Sequence, residues 1–120
     1  MILLLVLLYQ TVRNVLRNVS WITIERWNSL SKQEREGFAP IAPDFVLELK
    51  SPSDTLVTLQ NKMSEYIDNG VRLGWLLNPQ SKQIEIYQPG KDREVLENLN
   101  RIANDNVLPG LVLELDTVWE

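Results

Sequence analysis

The clearest pattern in the chain is Asp44-Phe45-Val46-Leu47-Glu48-Leu49-Lys50, where polar and apolar positions alternate over almost the whole length. A period of two predicts a strand with unlike faces, carrying Asp44, Val46, Glu48 and Lys50 on one side and Phe45, Leu47 and Leu49 on the other. Ser51-Pro52-Ser53-Asp54 ends that strand, and Ser53 or Asp54 is placed to cap a following helix. Along the helix, Leu56, Leu59, Met63, Tyr66 and Ile67 recur at helical spacing to about Asn69, and Gly70 supplies the stop. Val71–Leu77 then reads as a buried strand ending at Asn78-Pro79. Gln83–Gln88 reads as an alternating strand ending at Pro89-Gly90, with Pro79–Lys82 as a hairpin-type connection. Glu94–Leu96 is a further short strand, and Val107–Leu115 carries a Pro109-Gly110 turn followed by an apolar stretch.

Upstream, Val12–Val19 and Trp21–Glu25 read as extended segments entering a turn. Glu25–Glu36 reads as a short solvated helix or loop that ends at Gly37. The apolar run Ile2–Leu8 is far shorter than the ~20 residues a membrane-spanning helix needs. It lacks the cationic start and small-residue cleavage site of a secretory signal, so it reads as a buried strand. Strand, helix, strand, strand, with smaller β pieces around them, predicts an α/β (α+β) sandwich of helices on a sheet. Neither a bundle nor an all-β barrel fits that order.

Composition narrows the chemistry. The 120 residues contain no cysteine and no histidine, which removes thiolate and imidazole metal sites, disulfides, thiol nucleophiles and Ser-His-Asp hydrolysis. Carboxylate, amine, phenol and hydroxyl groups remain, and any metal is expected to be a hard, oxygen-bound cation of the magnesium or manganese kind. Twelve basic against sixteen acidic residues give a net charge of −4, so contact with nucleic acid must be local, and no membrane association is expected. The lack of cysteine fits a reducing compartment without fixing one, and a cytoplasmic location is the expectation.

Dinucleotide, P-loop and nucleophile-elbow motifs are absent from the sequence. Glu48 and Lys50 are two residues apart on one strand face, roughly 6.5–7 Å between Cα atoms, so both head groups can approach one phosphate and one metal. In a hydrolytic site the carboxylate ligates the metal, while the ammonium orients water or stabilises charge on the phosphate. Asp44 is about 13 Å along the strand from Glu48, too far to share a metal without a bend, so a second carboxylate should come from a neighbouring strand. The same alternation also describes the solvent-facing side of a sheet, and that alternative stands beside the first. On the helix, Lys62 and Tyr66 lie four residues apart and share a face. They either flank the polar strand face or divide between solvent and core. Trp75, Tyr87 and Trp119 are expected in the core; Trp21 and Trp27 flank a polar segment and offer either packing or a stacking surface.

Several segments in order carry a resemblance: Ser20-Trp21-Ile22, Glu25-Arg26-Trp27, the whole of Pro43 to Asp54, Gly70-Val71-Arg72-Leu73-Gly74-Trp75-Leu76-Leu77-Asn78-Pro79, and Leu108-Pro109-Gly110-Leu111. From about Arg17 to Glu120 the chain resembles the restriction-endonuclease family abundant in cyanobacteria, of the PD-(D/E)xK nuclease-like superfamily. The resemblance implies a mixed sheet flanked by helices and magnesium-dependent (or manganese-dependent) hydrolysis of DNA phosphodiesters. It implies Glu48 and Lys50 as the E-x-K pair, the Leu49 carbonyl as a metal ligand, Lys62 and Tyr66 as supporting residues near the cleft, and Asp44 as a compensating carboxylate if the strand bends. Relatives carry Pro-Asp just before the segment matching Ser20-Trp21; here Arg17-Asn18 stands there, so an amide replaces the expected metal-binding aspartate.

Residues 1–16 are an atypical apolar segment and 17–120 the restriction-endonuclease-like domain. Two functions follow from the resemblance: a metal-dependent DNA endonuclease, for which a homodimer would pair two centres, and a catalytically inactive nuclease fold acting as a binding or interaction domain.

Overall fold

The computed structural model describes residues 3–6, 11–12, 15–16, 18–33 and 43–119. The alternating segment is a strand, β5 (Phe45–Leu49), and it lies inside a six-stranded sheet. The other strands of that sheet are β1 (Leu3–Val6), β4 (Asn18–Thr23), β6 (Leu73–Asn78), β7 (Gln83–Tyr87) and β8 (Glu94–Glu97), in the order β1-β4-β5-β6-β7-β8. Only β5 and β6 pair in parallel among these neighbours, and the connection between them is the long helix α2 (Leu56–Asp68). A parallel pair needs such a crossover because the chain must return to the same end of the sheet.

Smaller pieces complete the fold. Short strands β2 (Thr11–Val12) and β3 (Val15–Leu16) pair with each other, helix α1 (Ile24–Asn28) follows β4, and β9 (Arg101–Ala103) pairs with β10 (Val112–Glu114) before helix α3 (Asp116–Trp119). The apolar run Ile2–Leu8 thus contributes β1, antiparallel to β4.

Alternation on the strands sorts the core into two layers. Phe45, Trp75, Leu77 and Ile84 face the C-terminal segment, where Ile102, Val107, Leu108 and Leu115 cover them, and Trp119 packs at the margin. Phe45 meets Trp75 edge to face, with ring centroids 4.9 Å apart. On the opposite face Val46, Leu76 and Tyr87 pack under Leu59 and Met63 of α2. The helix sits low on the sheet because Gly74 has no side chain: a Cβ there would come within 2.6 Å of Met63 Cε.

Three local expectations change. Helix α2 starts after Thr55, with no side-chain cap; Asp54 instead accepts both the backbone N–H and the hydroxyl of Ser51, each at 2.9 Å. A closed four-residue turn therefore takes the carboxylate that a cap would have used. The helix expected over Glu25–Glu36 is interrupted: α1 runs from Ile24 to Asn28, Lys32 and Gln33 are helical again, and residues 34–36 lie outside the described residues. Finally, β9 was not expected; its alternation is too short to register, and it forms because β10 pairs with it and Ile102 enters the core.

Candidate active site

Because β5 alternates, Glu48 points to the same side as Val46 and therefore under α2. It is only 4% exposed, so the polar face of β5 is not a solvated one at this position. A buried carboxylate is tolerated only when charge and hydrogen bonds compensate it. Two residues one helical turn apart do so: Lys62 Nζ lies 2.8 Å from Glu48 Oε1, and the Tyr66 hydroxyl donates to the same oxygen at 3.0 Å. Lys62 and Tyr66 both reach the polar strand face, and Tyr66 packs against the Met63 layer as well.

The electrostatics of the three groups reinforce one another. Burial pulls the Lys62 ammonium towards deprotonation, but the bond to Glu48 and its charge outweigh that and raise the Lys62 pKa above its ordinary value. The Tyr66 phenol is raised too, first by burial and then by the Glu48 charge. At neutral pH Lys62 is thus a cation and Tyr66 a donor, both directed at one carboxylate oxygen.

The sheet register extends the site sideways. Position 18 lies opposite Glu48 on β4, Leu76 opposite it on β6, and Glu85 opposite Leu76 on β7. Glu85, 2% exposed, is a second buried acid with its own partners. Gln60 Nε2 donates to both carboxylate oxygens at 3.1 Å, the Tyr87 hydroxyl donates at 2.8 Å, and Arg93 Nε lies 3.4 Å away. Burial, followed by the bond and charge of Glu85, pushes the Tyr87 phenol well up, so it remains a donor. Helix α2 therefore hangs from two carboxylates in one row of the sheet. Sequence reading missed Glu85, although the alternation Gln83, Glu85, Tyr87 on β7 was enough to place it on the helix face.

The remaining predicted residues separate along β5. Asp44, 2% exposed, stands at the strand's start, where Arg26 Nη1 donates to Oδ1 at 2.6 Å and Arg72 Nη1 lies 3.7 Å from the same atom. The structure does not bring Asp44 to Glu48. Lys50 follows the other end of β5, and its ammonium donates to the Ser51 carbonyl at 3.2 Å and to Gln80 Oε1 at 3.4 Å. Leu49, between Glu48 and Lys50, packs against the Phe45–Trp75 layer. One step beyond the pair Leu49↔Leu77, Lys50 comes level with Asn78. Asn78 is 7% exposed, and its buried Oδ1 has no hydrogen-bond partner. From the sequence, Asn78 reads only as the end of a strand.

Among the described residues there is no cluster of three or more acidic side chains that could hold a metal ion. The Glu48 carboxylate and the unpartnered Asn78 amide oxygen are both hard donors at one end of the sheet. That set fits a small divalent cation that keeps most of its water, since such ions are commonly held through one or two carboxylates.

Comparison with known proteins bears on the family and the fold. The profile of the Uma2 family, described as "Putative restriction endonuclease", matches residues 18–116. A crystal structure of a putative nuclease belonging to DUF820, from Anabaena variabilis, superposes with a TM-score of 0.69 at 19% identity, over 88% of this chain and 59% of that one. The chain thus spans under two thirds of that protein's length, and at this identity the likeness is one of fold. No curated protein matches the chain. No helix among the described residues is long and apolar enough to cross a membrane. The profile takes in β4, β5, α2 and β6, which carry every residue of the Glu48 site, and on that match the chain belongs to the Uma2 family of putative restriction endonucleases, with a restriction-endonuclease-like fold.

Proposed function

We propose that the chain is a divalent-metal-dependent nuclease that hydrolyses phosphodiester bonds in DNA, with Glu48 and Lys50 at its centre. The observation that carries this reading is the burial of Glu48 under Lys62 and Tyr66, two residues before Lys50 at the end of a strand. Burying a carboxylate in a sheet interior is costly even with two dedicated partners, and such arrangements concentrate at functional sites. The family match supports the nuclease class.

In this reading Glu48 and the Leu49 carbonyl would supply oxygens to a Mg²⁺ or Mn²⁺ ion, and position 18, opposite Glu48 on β4, is the degenerate ligand position. That ion, when bound, makes a coordinated water more acidic and neutralises charge on the phosphate. Before an ion binds, Lys62 and Tyr66 fix the orientation of the Glu48 carboxylate. The Lys50 ammonium, on a flexible stem, turns from Gln80 towards the phosphate and offsets the charge that builds up on its oxygens. Asp44, paired with two arginines at the far end of β5, anchors that end instead. Residues 17–120 act as the nuclease unit, in the cytoplasm where DNA is reached, and a homodimer would present two centres to two strands.

A second reading, a nuclease fold that binds without cutting, is favoured by one observation: the position opposite Glu48 is Asn18 and not an acid. Supercoiled plasmid incubated with Mg²⁺ or Mn²⁺ separates the two. Nicking by the unmodified chain that is lost in Glu48→Ala and Lys50→Ala is the expected result. Cleavage only after Asn18→Asp would identify a scaffold disabled at that position, and no cleavage by any folded variant would leave the binding reading.

A further inference from the structure

We infer that Asn78 is a ligand of the cation site, its Oδ1 supplying the neighbouring-strand oxygen that Glu48 needs. The inference rests on the metal-centred reading above and adds to it a residue from β6.

A buried acceptor with no partner is rare in a native protein, because its desolvation is uncompensated, and each case calls for something that satisfies it. Asn78 Oδ1 is such an atom. Its place is set by the ladder. Glu48 pairs with Leu76, and two residues further along β6 comes Asn78, on the same face, since Leu76 packs under α2 while Leu77 joins the Trp75 layer. With strands about 4.8 Å apart and a rise of about 3.3 Å per residue, the Cα atoms of Glu48 and Asn78 are roughly 8 Å apart. A glutamate and an asparagine at that diagonal can direct one oxygen each to an ion between them, at bonds of about 2.1 Å.

The other buried acids of the sheet and the Lys50 ammonium are already engaged. Glu85 belongs to Gln60, Tyr87 and Arg93, and Asp44 to the arginines. The Lys50 ammonium is directed at Ser51 and Gln80. An amide oxygen is also the right chemistry: it is hard and neutral, and it adds to one carboxylate without the repulsion of a second anion.

The test measures Mn²⁺ binding by electron paramagnetic resonance and calorimetry, with no DNA present, on wild type, Asn78→Asp, Asn78→Leu and Glu48→Gln, each checked for folding by circular dichroism. Asn78→Asp should tighten binding about tenfold or more, because the added charge sits on the same oxygen. Asn78→Leu should weaken it about tenfold or more. If Glu48→Gln abolishes binding while both Asn78 variants bind like wild type, the inference falls and the metal-centred reading survives, the orphan oxygen then serving a water or Lys50. If neither wild type nor Asn78→Asp binds Mn²⁺, both fall together. Should Asn78→Leu fail to fold, the near-isosteric Asn78→Asp alone decides: tighter binding supports the assignment and unchanged binding overturns it.

Discussion

Lys62→Met removes a charge while leaving a stem of similar length beside Tyr66. In the native arrangement the Lys62 ammonium sits 2.8 Å from Glu48 Oε1, on the oxygen that Tyr66 also bonds. Lys62 is thus an internal cation in the place where a metal's charge is needed. A divalent ion on Glu48 at ~4 Å from the ammonium would meet a repulsion of about 8 kcal/mol at an effective dielectric constant of 20. The ammonium therefore leaves instead of sharing the site. Its side chain is 41% exposed, so it reaches water readily, and the cost of release is the loss of one partly screened, charge-assisted bond, about 1–2 kcal/mol. Lys62→Met has nothing to release, and its Mn²⁺ affinity should rise about 5- to 30-fold. Without metal the same variant leaves Glu48 buried with less compensation, which should cost about 1–3 kcal/mol, or ~4–12 °C in melting temperature for a chain of this length. Titration calorimetry with Mn²⁺ and thermal melts with and without the ion read both effects. A variant that binds Mn²⁺ more weakly than wild type would refute the reasoning, showing that the ammonium supports the site and does not compete for it.

Two further outcomes concern the same row of the sheet. Glu85→Ala strands the buried Tyr87 hydroxyl and the Gln60 amide and should destabilise by about 3–5 kcal/mol, roughly 12–20 °C, whereas Glu85→Gln, which can still accept from Tyr87, should lose less than half as much in urea melts. Stability should also fall at alkaline pH. The folded-state pKa values of Lys62 and Tyr66 are raised above their ordinary 10.5 and 10.0, so the stabilisation each adds is complete below those values and is lost as pH climbs through the higher folded ones. Urea melts between pH 9 and 11.5 should show a steeper decline for wild type than for the Lys62→Met, Tyr66→Phe double variant, and parallel declines would count against the coupling.

How much of this was legible beforehand depended on how far a residue's fate is local. The strand at Asp44–Lys50 and the helix after it were readable because their periods are long and regular, and the partnership of Lys62 with Tyr66 followed from their one-turn spacing. What the alternation could not decide was whether the polar face of β5 met water. That depends on α2 folding back over it, which Gly74 permits by its missing side chain, and no periodicity in β5 itself reports this. Asp44 and Glu48 look equivalent in the sequence. They part only because Arg26, from α1, and Arg72, just before β6, converge on the start of the strand. Glu85 and Asn78 were passed over for a related reason: each is an ordinary polar residue until the register sets it level with Glu48 or Lys50.

Strand β6 has a consequence for the chain before it folds. All six of its residues are buried, with β5 along one edge and β7 along the other. Read as a free segment, Leu-Gly-Trp-Leu-Leu-Asn is uncharged, rich in large apolar residues and free of proline, the makeup of a segment that pairs with copies of itself. Arg72 stands immediately before it and Pro79 immediately after, and a charge and a proline are the two residues that best interrupt such pairing. The strand that gives the sheet its centre is therefore also the one whose neighbours in sequence guard against aggregation while β5 and β7 are still unformed.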